Sequence, residues 1–133
     1  SAKPSEKAYI CLKSGWLLRG QAESLDETKP DAAGNRKKIT ESENEFLKNA
    51  LEGFIAARQT EEYPMCGMDE STVDYLIAAL AVRFEQYDTA SRLLSAILVS
   101  RAANPRMKDK ARDLKDILVA RIQNQGRNGQ EPI

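Results

Sequence analysis

Histidine is missing altogether from the 133 residues. With it go the usual general base, the proton switch of neutral pH and the commonest transition-metal ligand. Cysteine is scarce, with only Cys11 and Cys66. A structural zinc site needs about four Cys or His ligands, so neither a metal nor any other cofactor is expected. A thiol nucleophile wants a neighbouring group that lowers its pKa, and Cys66 has no histidine to turn to. The pair reads as two buried cytosolic thiols rather than as a disulfide. Neither sign of charge prevails: 20 Lys and Arg balance 20 Asp and Glu, which disfavours a nucleic-acid partner. No apolar run approaches the roughly 18 to 20 residues that span a bilayer. The opening Ser1-Ala2-Lys3-Pro4-Ser5 is too polar for a secretory h-region. A cytoplasmic location away from membranes is the expectation. P-loop, GxGxxG and GxSxG patterns are all absent, so no catalytic residue and no enzyme are expected.

What is present is helical spacing. Residues 1–5 read as an edge, 6–124 as a single helical domain and 125–133 as a flexible tail. From Glu6 to about Glu27, Tyr9, Leu12, Trp16 and Leu17 recur at steps of three and four, which predicts a helix. Gly15 inside it costs about 1 kcal/mol against Ala and implies a neighbouring helix crossing there. Trp16 on this stripe reads as core rather than as a partner anchor. Thr28 to Lys38, with Pro30, Gly34 and Asn35, reads as a loop carrying the basic run Arg36-Lys37-Lys38. Thr40-Glu41-Ser42-Glu43 matches a capping box that opens helix two. Its stripe is Phe46, Leu47, Ala50, Leu51, Phe54 and Ile55, and Pro64 stops it.

Asp69 or Ser71 should cap helix three, whose stripe is Val73, Leu76, Ile77, Leu80, Ala81 and Phe84. Asp88 should cap helix four, and Asn104 with Pro105 should open helix five. Each stripe is apolar on one side only, so the five helices must share a core. The fold expected is all-α, about five helices in antiparallel hairpins. Residues 72–105 fit one TPR unit. Ile77 and Ala78 give its large–small step, and Tyr87-Asp88-Thr89-Ala90 gives its aromatic-x-x-Ala step. A right-handed TPR-like stack is the architecture this implies.

Longer segments carry a more specific likeness. Ala8 to Arg19, Phe46 to Glu52, Glu62 to Glu70 and Tyr75 to Ala90 together resemble the C-terminal helical region of a bacterial family of unknown function, numbered twenty-two twenty-five. The resemblance spans roughly Lys7 to Gln123. It implies a TPR-like region preceded, in full-length members, by a Cys-rich zinc-ribbon-type segment. No such segment lies in this sequence, so a zinc role falls on no residue here. The resemblance implies no activity.

Charge is unevenly spread. Residues 23–70 hold twelve acidic and six basic residues, a balance of minus six. Residues 101–123 hold seven basic and three acidic, plus four. Such a layout suits internal compensation, head-to-tail homo-oligomerisation or capture of an acidic peptide. In TPR-like stacks the first helix of each pair lines a concave face. Lys13, Arg19, Tyr75, Arg83 and Arg112 are the candidate binding residues on that face. The function expected is a non-catalytic protein-interaction module taking a peptide or partner domain. A dimerisation or spacer domain for the Cys-rich segment is the alternative.

Overall fold

In the computed structural model, which describes residues 2–129, the chain is all-α. Its helices are α1 Pro4–Glu23, α2 Ala32–Thr60, α3 Glu70–Arg83, α4 Tyr87–Val99 and α5 Pro105–Gly129, and among the described residues no strand forms. Where the sequence suggested one domain, the chain divides into two compact units, Ser1–Cys66 and Gly67–Ile133.

The first unit is α1 packed on α2. Pro4 opens α1 at a position where its missing N–H costs nothing. The inner side of α1 is Ser5, Ala8, Leu12 and Gly15, all buried, at the three-and-four spacing of one helix face. Against it α2 buries Leu47, Ala50, Leu51, Phe54 and Ala57. Small residues set the separation. A Cβ added to Gly15 would sit 2.6 Å from Leu47 Cδ2, and one added to Gly53 would sit 2.8 Å from Ala8 Cβ. The crossing expected at Gly15 is present. Polar ties run the length of the pair. Ser5 N and Oγ donate to Glu61 Oε2 and Oε1 at 2.8 and 2.6 Å. Arg19 Nε meets Glu43 Oε1 at 3.1 Å, and Arg36 Nη2 donates to the Ala22 carbonyl at 3.4 Å.

Three boundaries in this unit differ from the sequence reading. Pro4 and Ser5 are not a loose edge but the first residues of α1, held there by the Glu61 carboxylate. Helix α1 stops at Glu23 rather than near Glu27. Helix α2 starts at Ala32, so Arg36-Lys37-Lys38 and Thr40 are helical and no capping box forms. Ala32 is buried, Asn35 Nδ2 donates to Asp31 Oδ2, and Arg36 pairs with Glu27. These contacts hold an opening turn whose Gly34 and Asn35 argue locally against a helix.

In the second unit α3 packs on α4 and α5, and α4 packs on α5. Its core is aliphatic: Val73, Ile77 and Leu80 from α3, Leu93, Leu94 and Ile97 from α4, Leu118 from α5. Asp69 caps α3, its Oδ1 accepting from Thr72 N at 2.9 Å. Asn104 caps α5, its Oδ1 accepting from Met107 N at 2.7 Å. Asp88 does not cap α4; it lies inside the first turn, and the preceding Gln86 makes no side-chain cap. The turn before α4 is closed by backbone bonds instead, Glu85 N to Val82 O and Gln86 N to Ala81 O, with Glu85 left-handed at φ 60°. The expected tail overlaps α5, which runs to Gly129; residues 130–133 lie outside the described residues.

Candidate interaction site

Helix α1 carries apolar side chains on two sides. The inner side meets α2. On the opposite side Ile10 is 62% exposed and Leu17 70%; Trp16, 47% exposed, stands at the edge of the inner side, about 40° round the helix from Leu12. Seven residues are close to two turns, so Ile10 and Leu17 lie nearly in line along the outer side. Trp16 was expected in the core and is instead at the surface. Its step of four from Leu12 looked like a continuation of the stripe, but that step turns it about 40° further round, to the edge of the side that α2 covers.

Lys13, Trp16 and Leu17 border a shallow notch of about 380 Å³. Lys13 Nζ stands 5.0 Å from the centroid of the Tyr9 ring, a cation–π distance. Lys7 and Glu6 are exposed on the same helix. An apolar notch with one cation at its edge has no nucleophile or base to do chemistry. It suits the docking of another apolar surface.

The five candidate binding residues fall in different units. Lys13 and Arg19 belong to the first. Lys13 borders the notch, whereas Arg19 is engaged by the buried Glu43. Tyr75, Arg83 and Arg112 belong to the second. Tyr75 is half-buried, with Lys110 Nζ 6.0 Å from its ring centroid. Arg83 is half-buried eight residues further along α3, about 12 Å away at 1.5 Å per residue. Arg112 is exposed and pairs with Asp109 at 3.0 Å.

The second unit also holds an acidic recess of about 130 Å³, lined by Asp69, Glu70 and Asp74 with Ser71 and Ser100. Thr72, through its hydroxyl and its N–H, holds the Asp69 carboxyl below its ordinary value, so this acid is committed to the α3 cap. Among the described residues no three His, Cys, Asp or Glu side chains gather to hold a metal ion. Both cysteines are free thiols, but the expectation that both are buried fails. Cys11 is half-buried and Cys66 is exposed, its Sγ donating to the Ser5 carbonyl at 3.6 Å. Cys66 takes a left-handed φ of 50° in the turn it shares with Gly67, which carries its side chain to the surface.

Sequence reasoning missed two functions of glutamates. Glu43 was read as a helix cap and is instead a buried acid serving Arg19. Glu61 was given no partner and instead caps α1, where Ser5 hydrogen bonds hold its carboxyl below its ordinary value. The outer ridge left a signal: Ile10 and Leu17 sit opposite Ala8 and Leu12 on a helical wheel, so α1 is apolar on two sides.

A family described as an uncharacterized protein conserved in bacteria (DUF2225) matches residues 1–118, and the chain belongs to it. No curated protein and no solved structure matches the chain. Among the described residues no helix is long and apolar enough to cross a membrane.

Proposed function

We propose that this member of an uncharacterized bacterial family is a non-catalytic protein-interaction module that docks its partner on the outer side of α1. The observation that carries this reading is the solvent-facing pair Ile10 and Leu17, opposite the side of α1 that meets α2, with Trp16 exposed at the edge beyond Lys13. Fully burying one large aliphatic side chain is worth about 1.5–3 kcal/mol, and that surface stands open here.

A TPR-like arrangement fits the packing. Across α1 and α2 the facing residues run in opposite senses: Ser5 with Glu61, Ala8 with Gly53, Gly15 with Leu47, Arg19 with Glu43. That order supports an antiparallel hairpin. The fully buried Ile77, Ala78 and Ala90 are where a TPR unit over 72–105 wants its packing residues. A cytoplasmic setting suits two unpaired thiols.

Site-directed photo-crosslinking in cells tests the reading. A crosslinker at position 17 should give a discrete adduct that one at exposed Glu52 on α2 does not. Ile10→Ser should remove it while leaving the helical circular dichroism unchanged. In calorimetry with the adduct partner, Ile10→Ser should weaken binding about tenfold, the equivalent of 1.4 kcal/mol. Identical adducts from both positions, or none, would reject this face as the docking surface.

A further inference from the structure

The outer side of α1 also carries information about what covers it. At about 100° per residue, Lys7 and Lys13 lie about 60° to either side of Ile10, so a cation flanks the apolar ridge on each edge; both are exposed. Beyond Lys13 stands Trp16, which with Leu17 walls the notch. Glu6, the acid within this sector, lies about 40° from Ile10 on the Lys13 side, one turn toward the start of the helix, so the lysines leave the sector a net charge of plus one.

Area decides the kind of occupant. Three partly exposed side chains offer on the order of 300 Å² of apolar surface, the size of the largest patch on an ordinary monomer. A stable interface between globular partners buries about 800 Å² on each, so a second copy of this chain joined through the ridge alone falls short. The ridge is also too narrow for a helix lying in a lipid interface, which needs a broad apolar face. A single helix laid along α1 matches in length and width, with anchors spaced three, four and seven apart.

Building on the docking reading above, we infer that the partner is an acidic amphipathic helix. One apolar residue fills the Lys13–Trp16–Leu17 notch, others pack on Ile10, and carboxylates on both flanks meet Lys7 and Lys13.

The test uses the full chain and a display library of 16-residue helix-forming peptides. Trp16 is the single tryptophan, so its emission reports contact at the site. Selected peptides should carry apolar residues at helical spacing flanked by Asp or Glu, and should shift Trp16 emission saturably to the blue. The Lys7→Glu, Lys13→Glu double variant should weaken them at least tenfold, with circular dichroism unchanged. Arg112→Glu on α5 should leave them unaffected. Selected peptides that need Ile10 and Leu17 but carry basic or neutral flanks would overturn the acidic partner and leave the docking reading standing. Peptides indifferent to Ile10→Ser and Leu17→Ser, or none selected, would sink both. A Trp16 shift with phosphatidylglycerol vesicles but with no peptide would assign the ridge to lipid and overturn the inference, as would a dimer in light scattering that Leu17→Ser dissolves.

Discussion

The two units stabilise their helices by different means. In the first, small residues bring α1 and α2 close, and side chains distant in sequence tie the pair: Glu61 to Ser5, Glu43 to Arg19, Arg36 to the Ala22 carbonyl. In the second, branched aliphatics fill the core, and the caps are local, Asp69 on Thr72 and Asn104 on Met107. A helix pair set by close approach tolerates little added volume. A three-helix core filled with aliphatics is sensitive mainly to lost volume.

The largest effect should come from volume removed where the first unit does carry a large side chain. Phe54 is fully buried, and Phe54→Ala should cost about 3–5 kcal/mol in chemical denaturation. A loss under about 1 kcal/mol would mean that α2 is not packed as described. Next comes added volume. At Gly53 the new methyl group meets the Cβ of Ala8, which is fixed by its own backbone. Gly53→Ala should therefore destabilise by up to about 2 kcal/mol, because overpacking of about 1–3 kcal/mol is set against a helix gain of about 1 kcal/mol. At Gly15 the nearest atoms belong to the Leu47 side chain, which has rotamers to give, so Gly15→Ala should cost less. Equal melting temperatures for the two variants would erase the distinction between a rigid and a yielding neighbour.

Acid should act on the tie that crosses the first unit. The folded value of Glu61 lies below its ordinary 4.5, so its stabilisation is fully present above 4.5 and is lost as pH falls through the lower, folded value. Glu61→Gln should flatten that acid limb while changing the melting temperature at pH 3 less than at pH 7. An unchanged slope would mean that the carboxylate does not cap α1 in solution. The smallest effect belongs to Thr40. As a helix cap, its replacement by Ala would cost about 0.5–2 kcal/mol. Within α2, Thr40→Ala should be neutral or stabilising by a few tenths of a kcal/mol.

The same contrast explains what was legible in the sequence. Caps made by near neighbours leave a local signal: Asn104 marks the start of α5, and of the two residues offered for α3 Asp69 is the cap, although Asp88 fails to cap α4. The cap on α1 comes from 56 positions away, and no local pattern announces it. Thr40-Glu41-Ser42-Glu43 has the letters of a capping box, yet tertiary contacts from Ala32 onward override them, and Glu43 turns inward to Arg19. Among the candidate site residues, Lys13 was expected in a groove shared by three helices and borders instead a notch on α1 itself. Arg19 does not, because its buried partner was invisible. Ile10 falls off the stripe that closes the core, and Leu17, counted within that stripe, lies with Ile10 on the exposed side.

The ties between Ser5 and Glu61 and between Arg19 and Glu43 bracket the 24–31 connection without passing through it. The register of the hairpin is thus written in side chains rather than in the link that joins its two rods. That link should accept an inserted tag or a protease site, and α1 supplied as a separate peptide should still find its seat on α2.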